Sequence, residues 1–216
     1  MTAPESTLSP WQMILGERFT ELHPRLRAYF EAIPAGSIGV GEGVFATVGS
    51  PRWWVRFLIR LAVDDDVLFP VWEKDVPFTV VNKAAGDVRR PAVVAQRTFT
   101  FAKGPGGRHD RVMGDRILAT PKGIVDVLGA QRRLRALFSS DVVEGELRLI
   151  SSRFALRIGR EHLIIPGWLA PTVTLTERFS DDDDHQHVSL TMHAPVVGKV
   201  YEYAGSFRYE VRSEVD

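Results

Sequence analysis

Cysteine is absent from the 216 residues, which removes disulfides, thiolate nucleophiles and cysteine-ligated zinc together. Neither sign of charge is in excess. Lys plus Arg and Asp plus Glu number 27 each, so the chain as a whole carries no electrostatic footprint for nucleic acid or an anionic membrane. Nucleic acid is therefore not an expected partner, and neither is a membrane. Long hydrophobic runs are missing too. The most apolar helical stretch, "WWVRFLIRLAV" over residues 53–63, is interrupted by Arg56 and Arg60 and falls well short of the ~20 residues a spanning helix requires. The opening "MTAPESTLSPWQM" lacks a basic region followed by an apolar core, so no secretory signal is read there and a cytoplasmic location is expected. There is no Gly-x-Ser-x-Gly elbow, and the glycines at 36, 39, 41 and 43 lead into no phosphate-binding Lys-Ser/Thr pair. No cofactor is expected.

What the chain does hold is an ordinary globular balance, 44% hydrophobic and 25% charged, without internal repeats or a Pro/Ser-rich linker. One domain over residues 1–216 is expected, with a helical amino-terminal part over about 9–62 and a β part over about 76–212. Ser9 and Pro10 make an N-cap and first-turn pair, after which Trp11, Ile14, Leu15, Phe19, Leu22 and Leu26 recur near helical spacing, with Pro24 breaking or kinking the helix before a short second piece through Tyr29 and Phe30. Ser50 and Pro51 open a second helix. Its Arg52, Arg56 and Arg60 form one stripe opposite Trp53, Trp54, Phe57, Leu58 and Leu61. Arginines opposite tryptophans also suit a membrane interface, but the expectation is a helix packed on a sheet with its arginines in water.

From Val76 the hydrophobic period changes to two, through nine segments from "VPFTVVN" to "PVVGKVYEYAGSFRYE", with nothing helical between them. The fold class expected is α+β, mainly β: a curved antiparallel sheet, barrel or half-barrel, of about nine strands, with the amino-terminal helices covering one side or mouth.

Residues that break this alternation are the candidate site. Arg97 shares a face with Val93, Ala95, Phe99 and Phe101; Glu177 lies with Val173, Leu175 and Phe179; Lys199 stands between Val197 and Tyr201. Each is a charge turned toward the apolar side, and each needs a partner, water or a shifted pKa to be tolerated there. Tyr201 and Tyr203 add rings and hydroxyls. Asp115 in "RVMGDRILA" is a further candidate, with Gly114 beside it suggesting a bulge. One anion and two cations leave a positive charge over, which a ligand carboxylate or phosphate inside an apolar pocket could neutralise; the alternative is an internal ion-pair network that pins strand register. An enzymatic alternative uses Lys199 as a Schiff-base nucleophile or pairs it with Glu177 as acid and base. The run "DDDDHQH" at 181–187 invites a metal reading, but it falls where a hairpin turn belongs and is read as exposed, so no metal site is expected. His23, before Pro24, is read as a helix cap.

The motifs "LHPRLRAYF", the Gly-x-Gly of residues 41–43, "DVPFTV", "RTFTF", "VDVLG", "GELRLISSRFALRIG", "LIIPGWLAPTVTLTERF" and "PVVGKVYEYAGSF" come in an order that resembles a bacterial family, domain of unknown function 4166, over about residues 15–210. The resemblance implies an association with Rossmann-type oxidoreductase domains and hence a small, lipid-like molecule. It implies no catalytic residues. No nucleotide domain lies in this sequence, so redox activity does not carry over. The function expected is non-catalytic binding of a hydrophobic or lipid-like small molecule with an acidic head near Arg97 and Lys199. A further alternative is an interaction module that docks to an oxidoreductase through the Trp53 and Trp54 helix.

Overall fold

The computed structural model describes residues 8–62, 66–87, 89–102 and 107–214. Its helices are α1 (Pro10–Leu15), α2 (Pro24–Phe30) and α3 (Trp53–Ala62), with a 3-10 helix over Gly16–Glu21 between the first two. Its strands are β1 (Ser37–Gly49), β2 (Trp72–Asp87), β3 (Arg90–Phe101), β4 (His109–Thr120), β5 (Gly123–Leu128), β6 (Leu134–Val143), β7 (Glu146–Ile158), β8 (Glu161–Ile164), β9 (Thr172–Ser180), β10 (His185–Ala194) and β11 (Gly198–Ser213). All pairings are antiparallel, in the order β6-β5-β4-β3-β2-β1-β11-β10-β9-β7-β8, and β6 also pairs with β7. That last pairing closes a ten-strand barrel, with β8 attached only to the carboxy-terminal half of β7.

The mainly β architecture and the curved antiparallel sheet agree with the expectation from the sequence. The boundary between helical and β parts does not: β1 lies inside the segment expected to be helical. Glycine is a poor strand former in isolation, yet in β1 it makes room. A Cβ on Gly43 would stand 2.1 Å from the Ser206 carbonyl oxygen and 2.5 Å from Phe207 Cβ on the paired β11. The glycines let the backbones of β1 and β11 approach beneath the Phe207 and Tyr209 rings.

Two apolar clusters fill the barrel. One gathers Phe45, Phe78, Phe99, Phe101, Tyr201, Tyr203 and Phe207 under α3; the other packs Trp11, Leu15, Phe19, Leu26 and Phe30 onto Ile124, Phe138, Leu147, Phe154 and Val173. Leu190 and Met192 touch both. Phe45 stacks on Phe78 at 3.9 Å between ring centroids, so much of the first cluster is aromatic contact.

The first cap is as the sequence indicated. Ser9 Oγ accepts from Gln12 N at 3.1 Å, Gln12 Oε1 accepts from Ser9 N at 2.8 Å, and Ser9 Oγ donates to the Phe30 carbonyl at 2.5 Å. That hydroxyl therefore holds α1 and ties it to the end of α2. Ser9→Ala should cost about 1–2 kcal/mol, read as a lower urea midpoint with unchanged slope. His23 also caps as expected, its Nδ1 accepting from Arg25 N at 3.3 Å.

α3 departs from expectation. Val55 and Ile59 are the residues it buries, whereas Trp53, Phe57, Leu58 and Leu61 of the face expected to pack on the sheet are exposed. No helix among the described residues is long and apolar enough to cross a membrane.

Candidate functional site

Alternation along β3 turns Ala95, Arg97, Phe99 and Phe101 inward, and along β4 it turns Met113, Asp115 and Ile117 inward. The bulge expected at Gly114 is not formed: β3 and β4 pair without a register shift from Ala92 to Phe101. Asp115 therefore faces the interior unambiguously. On the next strand, Ile124, Asp126 and Leu128 face the same way.

Register then sets a slanted ladder. Met113 lies opposite Arg97, so Asp115 is its diagonal neighbour; Ile117 lies opposite Asp126, so Asp115 is diagonal to that residue too. Diagonal pairs are within reach of long side chains. Arg97 Nη1 donates to Asp115 Oδ2 in an ion pair whose side chains are 17% and 4% exposed. Across the barrel β9 contributes Glu177, buried, with Oε2 accepting from Gln186 Nε2 of β10, and β11 contributes Tyr203.

Arg97, Asp115, Asp126, Glu177 and Tyr203 border a cavity of about 100 Å³ where the two apolar clusters meet. Its remaining walls are chiefly apolar, including Trp11 of α1, Leu68 after α3, Met113, Leu190 and Met192. A smaller space of about 30 Å³ continues past Arg97 and Glu177 to Tyr29 and Asn82. A wider cleft of about 430 Å³ lies between α2 and the β1–β11 pair. Exposed charges such as Glu42, Arg208 and Glu210 line it, so it would leave a ligand largely in water.

The electrostatics follow from burial. Desolvation works against the Arg97 charge, but Asp115 beside it wins, and the guanidinium stays protonated well beyond its ordinary range. Asp126 is pushed well up, first by burial and then by the charge of Asp115, against the pull of Arg97. Glu177 is raised from 4.5 to about 7 by burial, opposed by its Gln186 hydrogen bond and by Arg97. Burial also raises the Tyr203 and Tyr29 phenols. Two carboxyl oxygens, Asp115 Oδ1 and Asp126 Oδ1, are buried without a hydrogen-bond partner among the described residues. Such groups cost roughly 1–3 kcal/mol each, so they require a proton or a donor from elsewhere.

Of the residues singled out in the sequence, Arg97, Asp115, Glu177 and Tyr203 line this cavity. Tyr201 does not. Its hydroxyl is buried in the aromatic cluster and accepts from Phe69 N at 3.4 Å. Lys199 is a correction: it lies on the outside, 45% exposed, and donates to Glu202. The cause is a bulge. β10 pairs Met192 with Tyr201 but His193 with Lys199, which leaves Val200 as an extra residue and reverses the phase of everything before it. Asp126 was missed, because both faces of "GIVDVLG" are apolar, Ile124 and Leu128 on one and Val125 and Val127 on the other, and alternation does not say which is inward. The aspartates of 181–184 form the turn between β9 and β10, where Asp183 meets His187 Nε2 at 2.9 Å.

A family model described as Domain of unknown function (DUF4166) matches residues 22–207. The chain belongs to this family. Among curated proteins, the DUF4166 chain is similar to the uncharacterized protein YndH of Bacillus subtilis (strain 168), 25% identical over 194 residues, which is 88% of this chain and 92% of that protein. The match to DUF4166 spans α2 through most of β11, and so includes every strand of the polar ladder.

Proposed function

We propose that the barrel interior binds a small, mainly apolar molecule through one hydroxyl or carbonyl group. The observation that carries this reading is the slanted Arg97–Asp115–Asp126 ladder, with two unpartnered carboxyl oxygens, on the wall of an otherwise apolar cavity. An alcohol is the matching head group: it donates to Asp115 Oδ1 and accepts from a protonated Asp126. The acidic head expected from the sequence loses its support. Lys199 is outside, Arg97 is already paired, and three carboxyl groups stand against one guanidinium. About 100 Å³ is less than the roughly 300 Å³ at which drug-sized sites begin, and near the ~150 Å³ that holds a benzene ring. A head group and a few carbons fit, and a longer chain displaces Leu68 or a methionine from the wall. A hydroxyl or carbonyl is also what a partner oxidoreductase of the kind implied by the family resemblance would act on.

Calorimetric titration at pH 7 with 1-octanol, octanoate and octane tests the reading. Octanol should bind best, and Asp126→Leu should weaken it about tenfold. Octanoate binding more tightly than octanol, or no uptake of any of the three by the folded protein, would reject it.

The enzymatic alternative keeps Glu177 and gives up Lys199. A buried carboxyl with a pKa of about 7 beside an apolar cavity is suited to moving a proton at neutral pH, so proton transfer on a bound carbonyl compound is the second reading.

A further inference from the structure

α3 is a ten-residue helix whose apolar side chains greatly exceed what the barrel covers. Val55 and Ile59, one turn apart, bury against the cluster around Phe69. Trp53 is left 72% exposed, Phe57 57%, Leu58 52% and Leu61 69%. Four large apolar side chains on the free face of one short helix form a patch that monomeric surfaces seldom carry without use.

A second feature lies at the turn tied to the start of α3. Arg52 Nη1 donates to the Val197 carbonyl at 2.9 Å, which fastens the β10–β11 turn beside the start of α3. At the tip of that turn Val196 is fully exposed and held at φ +67°, a region a β-branched residue normally avoids. An apolar side chain in a strained backbone, fully exposed on a turn that Arg52 ties to the start of α3, is an arrangement that folding alone does not call for.

The charge around the patch selects the partner. Arg56 Nη1 donates to the Ser50 and Pro51 carbonyls at 2.8 and 3.1 Å, so its guanidinium, like that of Arg52, is positioned by neutral groups. Neither these two nor Arg60 forms an ion pair with a carboxylate among the described residues. Of the acidic run that follows in sequence, Asp66 is engaged by the Ala130 N–H, and Asp64 and Asp65 lie outside the described residues. Exposed aromatic and aliphatic side chains flanked by arginines that meet no carboxylate among the described residues are the composition of a helix lying in a bilayer interface.

We propose that α3, together with the Val196 turn, docks the barrel onto the surface of an anionic lipid bilayer. Docking rests on the helix and turn alone. Its use, loading an apolar ligand from the membrane, rests on the cavity reading above: Val67 and Leu68, which border the cavity, follow α3 closely in the chain.

Flotation of the full chain with vesicles tests docking without any ligand. Vesicles of phosphatidylcholine with 30% phosphatidylserine should carry the protein upward, and pure phosphatidylcholine should carry several-fold less, since each basic residue near an anionic surface is worth about fivefold. Trp53→Ser with Phe57→Ser should lower binding at least tenfold with unchanged circular dichroism and thermal midpoint, both residues being exposed. Leu61→Gln alone is a milder variant expected to weaken binding in the same direction. Failure of the folded protein to float with either vesicle, or equal flotation of both variants and the parent, overturns the proposal. So does a soluble dimer that the same double variant dissociates, because the patch would then serve a second copy. A positive flotation result together with no octanol uptake keeps the docking and discards the loading.

Discussion

Arg97→Met should lower the stability of the folded barrel by about 3–5 kcal/mol at pH 7, the largest loss expected from any single polar change in the interior. The reason lies in what is left behind. Asp115 would keep a carboxylate with 4% exposure, no cation and Asp126 as its diagonal neighbour. The reverse substitution, Asp115→Leu, should cost less. The Arg97 side chain is 17% exposed against 4% for Asp115, so its charge keeps more access to water when its partner is removed. The double variant Arg97→Met, Asp115→Leu should recover most of the loss, since a buried ion pair replaced by well-packed apolar groups is often neutral. Urea unfolding of the four proteins at pH 7 reads the cycle. An Arg97→Met midpoint close to that of the parent would mean that the ladder is not electrostatically coupled, and the site would lose its organising charge.

How much of this could be read from the chain depends on strand phase. Arg97 and Glu177 were identified correctly as inward because β3 and β9 alternate without interruption. Lys199 obeyed the same pattern on paper and points outward, because the single extra residue at Val200 reverses the phase, and a bulge leaves no mark in hydrophobic periodicity. β1 was hidden by its composition. Gly39, Gly41 and Gly43 weaken a strand signal that is local, while their purpose is non-local: accommodating side chains and backbone of β11 and the facing β2, which no window around residue 40 contains.

Convergence was the part least accessible. That Arg97, Asp115, Asp126, Glu177 and Tyr203 meet at one height is decided by the β6–β7 closure and by register across the ring. For α3, period alone identified a helix with more apolar positions than a single contact needs, but which of them the barrel covers is a matter of docking angle.

Glu177→Gln should make the protein more stable at pH 8 and leave it nearly unchanged at pH 4. The folded-state pKa of about 7 stands above the ordinary 4.5, so the native barrel holds a proton that the unfolded chain has released between those values. Stability is full below pH 4.5, declines as pH rises, and by pH 8 has lost about 3 kcal/mol through this one group. Gln at this position accepts from Gln186 as the carboxyl does and carries no charge to desolvate, so the variant should show a flat profile where the parent slopes. Thermal midpoints between pH 4 and 8 measure this; parallel profiles for parent and variant would show that Glu177 is not held protonated by burial. The same variant separates the two functional readings. A stabler barrel that binds octanol as before makes Glu177 part of the wall. A stabler barrel that has lost deuterium exchange into the α-position of bound 2-octanone assigns it to proton transfer. An acid whose burial opposes its own ionisation beside an apolar cavity favours the second reading over a purely structural one, and the exchange measurement decides between them.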